Sequence, residues 1–467
     1  MKIAFNTLGC KLNYAETATY ERGLMAAGWE VVPWTAAADV YLINTCAVTE
    51  TAEKKSRNLI RRAHKTAPEA RIVVTGCYAE LRKEQLLALD GVWRVFGANE
   101  KSSIVPTVTE VLSPESSLRD PSHSQQRSPS TGAGSLPFRE IVIPLLSPRG
   151  HLPLRGRPRV ATDSGDNTSS TFGNATFGAY SSGEERTRAF LKVQDGCDNF
   201  CAYCTVPYAR GRSRNIPICE VVKMARDIAA EGVKEVVLTG VNTGDFGRTS
   251  GESFLDLLKA LNQVEGIERY RISSIEPNLI TPEIVDWIAS GTKFQRHFHI
   301  PLQSGSDTLL KRVGRRYDTA LFASRIDYIR QAMERPGEPR VFFGIDVIVG
   351  LPGETEELFQ ETYTFLKERI RPAFIHVFPY SRRPGTRAAE WKDQVQDRIK
   401  TERVARLEAL CEELHTAFVR EHAGMHETVL WESSEKGGLM GGYTGNYIRI
   451  ERPFDAARVN QLEDIVL

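Results

Sequence analysis

The chain reads as an α/β protein in three folded parts. These are a parallel α/β amino-terminal domain over residues 1–112, a partial (β/α)6 barrel over 184–420 and a small carboxyl-terminal β-barrel over 421–467. Three observations predict this. Short apolar runs alternate with polar, helix-like stretches, the pattern of βα units. The alternation stops between residues 113 and 183 and then resumes. After residue 420 it gives way to short alternating runs separated by glycine turns.

In the first part, strands are expected at Ile3–Ala–Phe–Asn–Thr, Val40–Tyr–Leu–Ile–Asn–Thr and Ile72–Val–Val–Thr. Each run ends at a cysteine: Cys10, Cys46 and Cys77. Helical segments, Glu16 to Ala27 and Glu50 to Lys65, fill the intervals. Parallel strands bring their carboxyl ends to one edge, where open α/β sheets bind ligands. Three cysteines distant in sequence are therefore expected at one place.

Ser, Pro and Gly make up 42% of residues 113–183, a composition that cannot bury a core and predicts a linker or insertion. From 184 onward six strand candidates follow, at Phe190, Glu235, Arg269, His297, Val341 and Ala373, with amphipathic helices between them. Six βα repeats predict an incomplete barrel, with functional loops at the carboxyl ends of the strands. One long helix is expected over 401–420. Short strands from Thr428, Gly441 and Asp464 complete the last module.

Composition narrows the function. Of the 467 residues 41% are hydrophobic and 25% charged, typical of globular proteins, and the formal charge is only +1. A polyanion partner must therefore be held by local patches. Two candidates are Lys54, Lys55, Arg57, Arg61, Arg62 and Lys65 on one helix, and Lys311, Arg312, Arg315 and Arg316 after the Gln303 loop. The start lacks a signal peptide, and no run reaches the ~18 apolar residues of a membrane span. A cytoplasmic protein is expected. Eight cysteines are too sparse for a disulfide scaffold in this length and point to metal. Cys219 and Cys411, on expected helices, read as structural thiols.

Gly196–Cys197–Asp–Asn–Phe–Cys201–Ala–Tyr–Cys204 carries the sharpest chemistry. Structural zinc takes four ligands in paired units, and no fourth Cys or His stands nearby. A three-cysteine loop suits a [4Fe–4S] cluster with one open iron. Motifs follow at later strand ends: Gly240 and Asn242, Ser273 and Glu276, Gln303, then Gly350.

With the barrel repeats, this loop resembles the radical S-adenosylmethionine superfamily. The resemblance implies that Cys197, Cys201 and Cys204 hold a cluster that cleaves S-adenosylmethionine to a 5′-deoxyadenosyl radical. It implies that Gly240, Asn242, Ser273, Glu276, Gln303 and Gly350 bind that cofactor. The three amino-terminal motifs are Gly9–Cys10–Lys–Leu–Asn13–Tyr–Ala–Glu16, Asn44–Thr–Cys46 and Thr75–Gly–Cys77. They narrow the resemblance to the methylthiotransferases, and Gly442–Tyr–Thr–Gly–Asn446–Tyr447 resembles that family's RNA-binding TRAM module.

The family implies a second [4Fe–4S] cluster on Cys10, Cys46 and Cys77 that supplies sulfur, a tRNA substrate and an electron donor such as flavodoxin or ferredoxin. The wording around Cys10, with Lys11 and Leu12, is similar to the subfamily that modifies C2 of N6-threonylcarbamoyladenosine at tRNA position 37. Alternatives are the subfamilies acting on isopentenyl-adenosine of tRNA or on a ribosomal-protein aspartate. From another class comes a zinc-containing RNA-binding protein without catalytic activity.

Overall fold

The computed structural model describes residues 1–112, 178–183 and 186–467. Most of the expected linker, residues 113–177, lies outside the described residues. The described part of that segment is not all linker: Tyr180–Gly183 is a strand that pairs antiparallel with the first barrel strand, Tyr180 opposite Leu191.

In the amino-terminal domain, β1 (Lys2–Thr7), β2 (Val40–Thr45), β3 (Arg71–Gly76) and β4 (Val92–Phe96) form a parallel sheet in that order. A two-residue strand at Glu30–Val31 extends it beside β1. Every residue of β2 is buried, as expected of a central parallel strand covered on both faces. Helix α1 (Lys11–Ala26) supplies Tyr20 and Leu24 to one face, and α2 (Glu50–Thr66) supplies Ile60 and Ala63 to the other. Helix α2 starts where Thr49 accepts a hydrogen bond from the Ala52 N–H. Glu50 and Glu53 in its first turn, and His64 and Lys65 in its last, match the helix dipole.

The barrel strands are β5 (Arg186–Lys192), β6 (Glu235–Thr239), β7 (Arg269–Ile272), β8 (His297–Gln303), β9 (Phe342–Val349) and β10 (Phe374–Pro379). All six run parallel. Two three-strand arcs meet only through bridges at Tyr270–Phe294 and Ser274–His299, so the wall stays open between β10 and β5. Helix α3 (Asp397–Glu421) is the expected long helix, and its buried Cys411 thiol accepts a hydrogen bond from the Ile375 N–H at 3.2 Å. Cys219 is exposed.

The last module, expected as a small β-barrel, is an antiparallel half-barrel sheet. Four antiparallel strands run 449–453, 439–444, 426–436, 462–466 in sheet order. One face needs no closure because it seats against the amino-terminal ends of the barrel strands. Arg271 donates to the Thr444 carbonyl at 2.7 Å and to the Gly445 carbonyl at 2.9 Å, while pairing with Glu235 at 2.8 Å. Arg188 joins Glu432 at 3.0 Å and the Tyr447 hydroxyl at 3.2 Å. Tyr443 and Tyr447 stack on each other at 4.7 Å, and Tyr447 packs on His297 and Phe342. Tyr447 is thus a floor of the barrel, committed to packing.

A buried ion network joins the first two parts. Glu16 of α1, fully buried, accepts from Lys101 and Lys192 at 2.8 Å and from Arg210 at 3.3 Å. Asp195 takes Lys192 at 2.7 Å, Arg210 at 2.9 Å and Arg214 at 3.3 Å. Burial alone would push both carboxyls up, but the surrounding cations outweigh it and hold both well below the usual range. Glu16→Gln should cost about 3–5 kcal/mol at neutral pH by leaving buried cations short of a counter-charge. A depressed carboxyl stabilises above its ordinary range and loses that contribution as pH falls, from about pH 5 downward. Urea unfolding at pH 7 and pH 4 should therefore show a shallower acid loss in Glu16→Gln. Identical acid loss in both proteins would contradict this role.

Candidate active site: two cysteine triplets at one domain interface

Cys10, Cys46 and Cys77 follow β1, β2 and β3 at the carboxyl edge of the sheet. The sequence motifs around them act as a clamp. Asn13 donates to the Leu8 carbonyl at 2.7 Å and the Thr45 carbonyl at 3.1 Å, so α1 holds the ends of both β1 and β2. Asn44 returns a hydrogen bond to the Asn13 carbonyl at 3.0 Å. Gly9 has φ +113°, and a Cβ there would lie 2.9 Å from Asn13 Nδ2 and 3.0 Å from Cys46 Cβ. Gly76 has φ +99°, and its Cβ would meet the Thr45 carbonyl oxygen at 2.2 Å. Glycine before cysteine is required by how closely these loops approach.

The three thiols lie in one another's electrostatic field, and none forms a disulfide. Burial pushes the Cys46 thiol up to about 12 and raises Cys77 as well. Bare, these groups stay protonated at neutral pH, so they are not free thiolate nucleophiles. They would ionise on a bound cation. The fully desolvated Arg210 lies close to Cys77 and Cys10, supplying positive charge for thiolate ligands.

Cys197, Cys201 and Cys204 occupy the loop after β5. Gly196, φ +73°, permits the turn, because a Cβ would stand 2.0 Å from the Arg212 carbonyl oxygen. Every sulfur in this loop faces a hydrogen-bond donor. Cys197 accepts from the Asn199 N–H at 3.5 Å, Cys204 from the Val206 N–H at 3.4 Å and Cys201 from the Arg315 guanidinium at 3.2 Å. Donors to sulfur are the protein's means of tuning an iron–sulfur cluster. Burial pushes Cys197 to about 11 and Cys204 to about 12. Convergent thiols, sulfur-directed donors and nearby guanidinium charge fit a cysteine-ligated cluster in each triplet.

The strand-end residues divide. Glu276 accepts from Asn199 Nδ2 at 2.8 Å and from Arg315 at 2.7 Å, which ties it to the cysteine loop. Asn242 joins this set, its Oδ1 accepting from the Glu276 N–H at 3.3 Å. Gly240 presses on Gln194, whose Oε1 accepts from the Val241 and Asn242 N–H groups at 2.9 and 3.0 Å. Ser273 is buried, and among the described residues its hydroxyl has no hydrogen-bond partner. Gln303 is buried at a β-bulge with φ +68°, a backbone strain that marks functional positions. Gly350 stands apart. Its N–H is taken by Glu354 at 2.8 Å, Glu354 is paired with Arg403, and the glycine packs on Lys400. Its neighbour Leu351 shares a buried cluster with Ala202 of the cysteine loop.

Several functional residues escape the motifs. Arg315 is grouped by sequence with a basic surface cluster, but its guanidinium is buried beside Cys201. Only Lys311, Arg312 and Arg316 of that cluster are exposed. On α2, Lys54, Lys55, Arg61, Arg62 and Lys65 are exposed, whereas Arg57 bonds the Tyr78 hydroxyl at 2.8 Å. Asn199 and Gln194 have no sequence signal beyond standing in or near the cysteine loop. His299 is half-buried, 2.7 Å from Asp346 and stacked on His376. Gly76→Ala should remove about 1–3 kcal/mol through strain and backbone collision. Thermal unfolding should show a lowered transition, and iron bound by the amino-terminal triplet should fall with it. Unchanged stability and iron would show that the loop yields easily.

Comparisons agree with this layout. Residues 2–97 match the model described as an uncharacterized protein family, UPF0004, and residues 191–366 match the radical SAM superfamily. The threonylcarbamoyladenosine tRNA methylthiotransferase MtaB of Bacillus subtilis is 37% identical, covering 96% of this chain and 89% of the relative. That of Aquifex aeolicus is 35% identical, covering 97% of each. A tRNA-2-methylthio-N(6)-dimethylallyladenosine synthase of Wolinella succinogenes is 32% identical over 93% of this chain and 89% of its own. In fold, the chain resembles the radical S-adenosylmethionine methyltransferase TsrM of Kitasatospora setae, with a TM-score of 0.53 at 14% identity, covering 83% of this chain and 77% of that one. Two cysteine triplets at one interface, a radical SAM barrel and near-full-length relatives place this chain in the MtaB family of radical S-adenosylmethionine methylthiotransferases.

Proposed function

We propose that the protein inserts a methylthio group at C2 of N6-threonylcarbamoyladenosine at position 37 of tRNA. The observation that carries this reading is the pairing of two separate triplets across one interface. Asn13 and Glu16 beside the first triplet bind Arg210, and Arg210 binds Asp195 beside the second. A substrate carbon between them would meet both a sulfur source and a radical source.

Radical SAM enzymes use one [4Fe–4S] cluster and S-adenosylmethionine, which together supply a carbon-centred radical able to abstract hydrogen from an unactivated carbon. Here Cys197, Cys201 and Cys204 would hold that cluster, and Cys10, Cys46 and Cys77 a second one carrying the sulfur. Asn242, Ser273, Glu276 and Gln303, with the Gly240 turn, would orient S-adenosylmethionine. Gly350, in the turn after β9, would join them in binding it. Arg315 is a positioning residue, fixing Glu276 while donating to Cys201. The exposed cations of α2 would contact tRNA phosphates, which position the substrate without reading its sequence. The half-barrel would serve as the TRAM module. A flavodoxin or ferredoxin would supply electrons. No helix of the described residues is long and apolar enough to cross a membrane.

Anaerobically reconstituted protein should bind about eight irons per chain, the sum for two four-iron clusters. Cys201→Ala should abolish cleavage of S-adenosylmethionine, and Cys46→Ala should leave it running while stopping sulfur insertion. Methylthiolated RNA from Cys46→Ala would remove the sulfur-donor assignment, and zinc in place of iron would remove the whole reading. Mass spectrometry of tRNA nucleosides from cells lacking the protein should show loss of the methylthio form of the threonylcarbamoyl nucleoside. Loss of the methylthiolated isopentenyl form instead would transfer the assignment to that substrate.

A further inference from the structure

His299, Asp346 and His376 stand on three neighbouring strands, β8, β9 and β10. Their flanking residues Phe298, Ile300, Ile345, Val347 and Ile375 pack outward, in the core shared with Phe322, Ile326, Leu407 and Leu410 of the surrounding helices. Side chains alternate along a strand, so the three polar residues point to the opposite face, into the barrel. Parallel register brings them together, with Asp346 opposite His376 and His299 opposite Gly344.

Each of the three offers one ligand atom, and those atoms all lie within 4.8 Å of one another. His299 Nε2 is 2.7 Å from Asp346 Oδ1, and the two imidazoles stack with centroids 5.0 Å apart and planes 6° from parallel. Nitrogen and oxygen atoms bound to one cation at about 2.0–2.2 Å lie about 3–4 Å apart. Small side-chain rotations reach that spacing. All three residues are half-buried, so the cluster is walled by protein and still open to an entering ion.

A hydrogen bond between His299 and Asp346 accounts for only two of the three. Among the described residues His376 makes no hydrogen bond, and its ring contacts are to His299 and Phe374. Gly344 is a second, independent sign. It faces the same space from inside a strand, without a positive φ, and a Cβ there would meet nothing closer than 3.6 Å, with His376 Nε2 at 3.8 Å. Neither conformation nor packing asks for glycine at this point. A strand glycine of that kind is a mark of close approach by a ligand.

We propose that His299, Asp346 and His376 bind a divalent transition-metal ion through two imidazole nitrogens and one carboxylate oxygen. This centre is separate from both cysteine triplets. Donor type selects the ion: magnesium and calcium take oxygen ligands, whereas imidazole suits zinc and its first-row neighbours. Structural zinc closes its shell with four protein ligands, and three leave a position open. Here the open position faces the lumen, on the amino-terminal side of Gln303 along β8. It presents a Lewis acid to an oxygen of the molecule that enters the barrel.

The test uses tag-free, full-length protein with its clusters reconstituted, so that the cysteines are occupied, and zinc ion as the probe. After equilibrium dialysis the wild type should hold about one zinc per chain in addition to about eight irons. The zinc X-ray absorption spectrum should show nitrogen and oxygen neighbours at about 2.0–2.2 Å and no sulfur at about 2.3 Å. His376→Ala and Asp346→Asn should each lose the zinc and keep the iron. Asparagine retains an acceptor for His299, so loss of zinc in Asp346→Asn identifies the carboxylate as a ligand and not as a prop for the ring. A wild type that takes up no zinc overturns the site, whether or not a variant folds. Zinc with sulfur neighbours overturns it too, since the ion then sits on cysteine. Wild-type zinc binding retained in both variants does the same. Iron content reads the cluster assignment separately, so that assignment can fail while this site stands.

Discussion

The buried pairing of Glu16 and Asp195 with Lys101, Lys192, Arg210 and Arg214 is the constraint on which the site depends. It is the polar seam of the interface, with Asn13 and Glu16 beside the first cysteine triplet and Asp195 beside the second. Six charges removed from water tolerate little rearrangement, because any one displaced leaves another unpaired. The seam therefore fixes how the amino-terminal sheet sits against the barrel more sharply than apolar contact could. Arg210 carries the link one step further, since the same guanidinium bonds Asn13, Glu16 and Asp195 and lies beside Cys77 and Cys10.

The barrel is closed at opposite ends by different means. At the amino-terminal ends of the strands, the half-barrel module inserts Tyr447 against His297 and Phe342, with Arg188, Arg269 and Arg271 as ties. At the carboxyl ends, the cysteine loop and the amino-terminal domain form the roof, helped by the ion pair of Arg383 with Glu53 and the Ser381 contact to α2. A lumen capped at both ends lowers the local dielectric, which strengthens each charge within it. Such an enclosure suits radical chemistry, which must be kept from water and from bystander bonds.

Much of this was legible in the sequence. Alternating apolar runs marked three of the parallel strands of the first domain, missing Val92–Phe96 and the two-residue Glu30–Val31, and all six of the barrel. The local triplet in 197–204 was readable because its three ligands share one loop. The other triplet was readable only as three strand ends, and glycine at 9 and 76 turned out to be the steric condition for their convergence. One misreading had a plain origin. Arg315 looked like a surface cation, because sequence neighbours do not reveal which way a side chain leaves its loop.

By itself, the sequence determined the order of elements, the two sets of thiols and the chemistry those thiols can support. Those properties follow from residue type and spacing along one chain. Only the tertiary structure decided which distant charges share a low-dielectric space. It turned Glu16 into the anchor of the interface and Arg315 into a donor to sulfur. Coulomb energy depends on distance through space and on exclusion of water, and neither is written in sequence separation.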